Sequence, residues 1–68
     1  MKIVYHRGVD AMHIFFSDRK VEESDETHEG IIIDYDSEGN PIGIEILDAS
    51  KRMTNPSQID YQVSVEAA

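Results

Sequence analysis

The chain has no cysteine and no tryptophan, and its 68 residues include only two prolines. Without thiols there is neither a disulfide framework nor a thiolate zinc site, two devices by which very small domains make up for a thin core. A domain of this length buries only about 60% of the surface its unfolded chain exposes. Two sources of extra stability are left, a histidine or carboxylate metal site and association with a second copy. Dimerisation makes the smaller assumption, and a homodimer is expected. The lack of cysteine also agrees with a reducing cytoplasm.

No run approaches the roughly 18 apolar residues that a membrane span needs. The opening Met1-Lys2-Ile3-Val4-Tyr5-His6 has no apolar core followed by a small-residue cleavage site, so it does not read as a signal peptide. A cytoplasmic protein with no membrane contact is expected. Basic residues are scarce: six Lys and Arg stand against 14 Asp and Glu, for a formal net charge of -8. They are scattered singly or in pairs, with no basic stripe. A field of this sign repels phosphate backbones, so no nucleic-acid partner is expected, and it suits a basic partner protein. The plainer reading is that an acidic surface keeps the chain soluble.

What the chain does have is alternation. Lys2 to His6 places Ile3 and Tyr5 on one face, and Met12 to Phe16 does the same with Met12, Ile14 and Phe16. Period two marks strands, and the interruption Arg7-Gly8-Val9-Asp10-Ala11 makes them a hairpin. After Ser17-Asp18-Arg19-Lys20, the carboxylate-rich stretch from Val21 to Glu29 reads as a solvated edge strand or a loop. The β-branched run Ile31 to Asp36 predicts an inner strand. Ser37-Glu38-Gly39-Asn40 supplies a turn, and Pro41 to Leu47 alternates again with Ile42, Ile44 and Ile46 facing one way. Proline costs little at the first residue of a strand. Asp48 is placed to cap a short helical turn over Ala49 to Met53 that Asn55-Pro56 must end.

The expected fold is therefore mainly β, a small α+β domain: an antiparallel meander of four or five strands with one short helical turn, dimeric. Residues 1–52 form the domain, and residues 53–68 are an extension packing on it or on a partner copy. In that extension Ile59, Tyr61, Val63 and Val65 alternate with polar residues, a pattern that suits a final strand or one swapped onto a second molecule. The second sheet face, with Val4, Phe15, Ile32 and Leu47 among His6, His13, Asp34 and Glu45, is too apolar for full solvation and is expected to be partly covered.

Three segments carry a resemblance. They are the Tyr-containing first strand, Asp10-Ala11-Met12-His13-Ile14, and Ile33-Asp34-Tyr35-Asp36-Ser37-Glu38-Gly39-Asn40 leading into Gly43-Ile44-Glu45-Ile46-Leu47-Asp48-Ala49-Ser50. Over residues 1–52 the chain resembles the small uncharacterised bacterial proteins grouped as domain of unknown function 2283. His13 stands where an aromatic is usual and Pro41 where an aliphatic is. The resemblance implies a compact β-rich fold and no assigned activity. It also implies an antitoxin-like or inhibitor-like role, since some members look like companions of small toxin-like proteins. That warrant is one of association.

Two constellations suggest metal chemistry. Asp34-x-Asp36-x-Glu38-Gly39 with Glu45 at the twelfth position matches a calcium-loop template, but the template needs helices on both sides and here the flanks are strands. His6 and His13 would face each other if Tyr5 paired with Ile14, within reach of Asp34 for zinc or nickel. The competing reading is a polar turn and two surface histidines, and no metal or other cofactor is assigned. These six residues, His6, His13, Asp34, Asp36, Glu38 and Glu45, are the candidates for the alternative of a small metal-binding or sensing domain. The serines lack a glycine elbow and no glycine pattern cradles a phosphate, so no catalytic residue is assigned and an enzyme is not expected.

Overall fold

In the computed structural model, which describes residues 1–67, five strands form one antiparallel sheet: β1 (Lys2–His6), β2 (Ala11–Phe15), β3 (Glu23–His28), β4 (Ile31–Tyr35) and β5 (Pro41–Leu47). A 3-10 turn spans Arg7–Val9, and a single helical turn, α1 (Ala49–Arg52), follows β5. The mainly β expectation holds, and the acidic stretch is an edge strand rather than a loop.

Strand order across the sheet is β1-β2-β5-β4-β3. Two consecutive pieces, the β1–β2 hairpin and the β3–β4–β5 meander, are joined side by side through β2 and β5. The connection from β2 to β3 therefore runs across one end of β5 and β4. It is pinned there by its backbone, with Phe16 N donating to Ile42 O at 2.8 Å and Glu22 N to Tyr35 O at 2.7 Å.

The register puts Ile3, Tyr5, Met12, Ile14, Ile44, Ile46, Ile31 and Ile33 on one face, because each lies opposite another of the set across a strand pair. Period-two alternation does the rest. Among the described residues only Ala11, Met12, Ile42 and Ala49 are buried apolar side chains. A folded monomer of 7.7 kDa should expose about 4,300 Å² by the usual scaling of surface with mass. This chain exposes 5422 Å². A single sheet layer without a packed second layer, and residues 57–67 exposed beyond it, both contribute to the excess.

Residues 54–67 form neither helix nor strand, so a final strand within the same chain is not present over those residues, and Ala68 lies outside the described part. Pro56, Ser57 and Ile59 share a shallow cleft with Ile3, Tyr5 and Met12. Cover from this segment thus falls on the first sheet face. On the second face Val4, Phe15, Ile32 and Leu47 are all half-buried, in keeping with the partial cover expected there.

Candidate functional site

The most organised polar group on the second face is built across three strands. His13 on β2 lies opposite Glu45 of β5, while Asp34 on β4 lies opposite Gly43 of β5 and Ser24 of β3. Glycine at 43 removes the side chain that would otherwise separate His13 from Asp34. A Cβ there would sit 3.1 Å from Asp34 Oδ2 and from the Ile14 carbonyl oxygen. His13 Nε2 consequently reaches Asp34 Oδ2 at 3.0 Å, and Ser24 Oγ donates to Asp34 Oδ1 at 2.6 Å. The imidazole also stacks on Phe15, with ring centroids 3.9 Å apart. Burial pushes the Asp34 carboxyl up, but the Ser24 and His13 hydrogen bonds outweigh it and hold the group below its ordinary value.

This arrangement puts the carboxylate in the middle. Nucleophilic catalysis of the serine type needs the imidazole between hydroxyl and carboxylate, so that the base faces the nucleophile. Here the Ser24 hydroxyl donates its hydrogen bond to Asp34 and is not activated by His13. What the group achieves is to tie β2, β4 and β3 together over β5.

The calcium-template residues are not brought together. Asp36 faces the β4–β5 turn, where its Oδ1 accepts the backbone N–H of Glu38 and of Asn40, each at 2.9 Å. Its Oδ2 accepts Asn40 Nδ2 at 3.3 Å and the Arg19 guanidinium at 3.0 Å. Gly39, at φ 80°, completes the turn in a conformation that side chains disfavour. The Asn40 amide, with Arg19 and Glu38 adding to it, holds the Asp36 carboxyl down at about 2 against the push of burial. Glu38 is exposed, and Glu45 lies back along the ladder opposite Ile32 and His13.

The histidine pair expected from the sequence is corrected by the register. His6 pairs with Ala11 and His13 with Val4, a shift of two residues from the expected alignment. Asp10 in the left-handed region (φ 54°) closes the 3-10 turn early, so that pairing resumes at Ala11. His6 and His13 keep the same face but become diagonal neighbours, roughly 7–8 Å apart rather than directly opposed. Among the described residues no group of three or more His, Asp or Glu side chains is placed to hold a metal ion.

Sequence reasoning missed Asp10. Tyr5 Oη donates to its Oδ1 at 2.7 Å, Ser50 N to Oδ1 at 2.9 Å and Ser50 Oγ to Oδ2 at 2.7 Å, while its own carbonyl accepts Ala49 N at 2.9 Å. Ser50, then Tyr5, lowers the Asp10 carboxyl, and the same contact raises the Tyr5 phenol. The three segments that carry the family resemblance thus meet at one carboxylate. Asp48 was expected to cap α1 through its side chain. It sits instead at φ 52° with no side-chain cap bond, and the Asp10 main chain and carboxylate take the first amides of the turn.

Arg19 was likewise missed as a partner of Asp36, because nothing in the pattern places the β2–β3 connection against the β4–β5 turn. Charge is also sorted by edge. Exposed β3 and its flanks carry Glu22, Glu23, Asp25, Glu26 and Glu29 without Lys or Arg, whereas β1 and its flank carry Lys2, His6 and Arg7.

The family described as protein of unknown function DUF2283 matches residues 2–50. Neither a curated protein nor a solved structure matches the chain. Among the described residues no helix is long and apolar enough to cross a membrane.

Proposed function

The chain belongs to the DUF2283 family, and on that premise we propose that it is a small acidic protein-interaction module of the cytoplasm, without enzymatic activity, that holds a basic partner protein in an antitoxin-like or inhibitor-like way. One observation carries the reading: β3 is an edge strand, exposed along its whole length, that bears the carboxylates Glu23, Asp25 and Glu26 and no Lys or Arg. An edge strand offers unpaired N–H and C=O groups to an incoming chain. A carboxylate row beside them raises the encounter rate with a basic partner and discourages acidic ones. The same charges prevent two β3 edges of like copies from pairing, because like charges opposite each other are destabilising.

The alternative, a metal-binding or sensing domain, has only the His13–Asp34 contact to start from. The test is affinity capture from extracts of the native cells, with co-purifying proteins quantified against a charge-matched unrelated control. It is repeated with a Glu22→Gln, Glu23→Gln, Asp25→Asn variant that leaves Glu26 to accept the Gly30 N–H, as it does at 2.8 Å. One basic protein in near-equal amount, lost in the variant and at raised salt, supports the reading. Capture unchanged by the variant counts against β3 as the docking edge. A melting midpoint raised by zinc, nickel or calcium would favour the metal alternative instead.

A further inference from the structure

The opposite edge of the sheet is prepared for a different occupant. β1 pairs only with β2, so one side of its backbone is unpaired, and its Ile3 is 38% exposed. Next to it runs the segment that follows α1. Arg7 donates to Ser57 Oγ at 3.1 Å, and Pro56 and Ile59 line the cleft with Ile3 and Tyr5, so residue 59 stands beside β1. Beyond it Tyr61, Val63 and Val65 are 80%, 70% and 94% exposed. Three large apolar side chains at every second position, all in water, carry the alternation of a strand that has no sheet to join.

We propose that residues 59–66 of each copy leave the cleft at their own β1 and add as a strand to the β1 edge of a second copy, giving a two-fold dimer with exchanged arms. Two independent matches carry this. In the added strand Ile59, Tyr61, Val63 and Val65 continue the face of Ile3 and Tyr5, while Asp60, Gln62, Ser64 and Glu66 fall on the face of Lys2 and His6. Asp60 and Glu66 are six positions apart and Lys2 and His6 four, so with one acidic residue directly opposite a basic one the other lies on the diagonal, whichever way the arm runs. The β3 edge, with Glu23, Asp25 and Glu26, repels the same arm, so charge selects between the edges. The second match is area. The surface in excess of the mass-scaling value is about 1,100 Å² per chain, and a standard interface covers about 800 Å² on each partner. Arm exchange also closes under two-fold symmetry, whereas β1-to-β3 edge pairing would continue without end.

The test is molar mass by light scattering and sedimentation over a dilution series from low micromolar to submillimolar. Three proteins are compared: the full chain, a chain ending at Gln58, and full-length Val63→Pro, which removes a ladder donor in the arm without touching the sheet. Far-UV circular dichroism checks that each is folded. The expected result is twice the chain mass for the full chain, the single mass for the truncation, and a dissociation constant raised at least tenfold for Val63→Pro. Slowed amide exchange at residues 59–66 should appear only in the dimer. A full chain that is monomeric throughout overturns the proposal, whether its arm exchanges freely or is protected by folding back on its own β1. So does a truncated chain that stays dimeric, which would put the interface elsewhere. The triple β3 carboxylate variant should leave the mass unchanged, so failure of arm exchange is distinguishable from failure of the partner-binding reading.

Discussion

The two ends of this sheet are each closed by an aspartate, and they are closed differently. At one end Asp36 collects amides from residues two and four positions further on, together with Arg19 from the passing connection. At the other, Asp10 collects groups from Tyr5 and from Ser50, 40 positions away. The first closure is mostly local and forms with the turn. The second requires distant strands to have met, because β5 must already lie beside β2 before Ser50 can reach Asp10. Local closure tolerates an open core, whereas distant closure reports that the sheet has assembled.

Asp36→Ala should show the largest effect, since it strips acceptors from two backbone amides, Asn40 and Arg19 at once. Thermal unfolding should give a larger fall in melting midpoint than Asp10→Ala, Gly43→Ala or Ser24→Ala produces, with Asp36→Asn intermediate because its remaining oxygen still serves the turn amides. The pH dependence sharpens this. The Asp36 carboxyl is depressed from 3.8 to about 2, so its contribution is present above the ordinary value and is lost as pH falls through the folded one. Wild-type stability should decline between about pH 4 and 2, and Asp36→Asn should flatten that limb. An unchanged limb would mean that other carboxylates dominate acid unfolding.

Asp10→Ala should cost less in melting midpoint but reach further. It frees α1 from the β1–β2 turn, so amide exchange at Ser50 should accelerate while the Asp36 turn stays protected. The Tyr5 phenol, raised chiefly by its hydrogen bond to Asp10, should fall toward its ordinary value in an absorbance titration. If exchange accelerates equally at both ends, the two closures are one cooperative unit and the contrast between them fails.

Gly43→Ala probes the strand between the ends. The new methyl meets Asp34 Oδ2 and the Ile14 carbonyl oxygen, both at 3.1 Å. The backbone oxygen cannot turn aside, and crowding of this kind costs about 1 kcal/mol or somewhat more. Chemical-denaturant unfolding should register that loss, and NMR should show His13 released from Asp34 with both end turns intact.

Legibility in the sequence follows the same division. Ile31 to Ile33 and Ile42, Ile44 and Ile46 announced their strands because alternation and β-branching are written locally, and Glu38-Gly39-Asn40 announced the turn. The crossing of the β2–β3 connection was not legible, since alternation says which face a residue takes but not which strand lies beside it. The histidine register failed for a related reason. One left-handed residue, Asp10, shortens the hairpin loop, and an aspartate in that conformation leaves no mark in a period-two pattern. Asp48 was correctly placed at the start of α1 but with the wrong mechanism, because the groups that satisfy the turn come from Asp10. Within the Ser24–Asp34–His13 row the nearness of His13 to Asp34 was legible, though as part of a metal site, whereas Ser24 left no mark beyond Gly43, a gap in an otherwise full strand.

Ser24→Ala is the smallest change that still separates the causes acting on Asp34. The hydroxyl is one of two groups holding this carboxylate down while burial pushes it up. Removing it leaves His13 alone against burial, so the Asp34 carboxyl should rise, as followed by its side-chain carbon shift in an NMR titration. Loss of one neutral-donor hydrogen bond of this kind should cost about 0.5–1.5 kcal/mol. The sign of the pH effect is fixed: a carboxyl less depressed in the folded state gives up its contribution at higher pH, so the variant should begin to lose stability earlier on acidification. His13→Phe, which keeps a ring to stack on Phe15, removes the other partner, and the two changes share one acceptor. Their costs should therefore not add. Simple additivity would show that Ser24 and His13 act on β3 and β2 separately, and that Asp34 is not the joint between them.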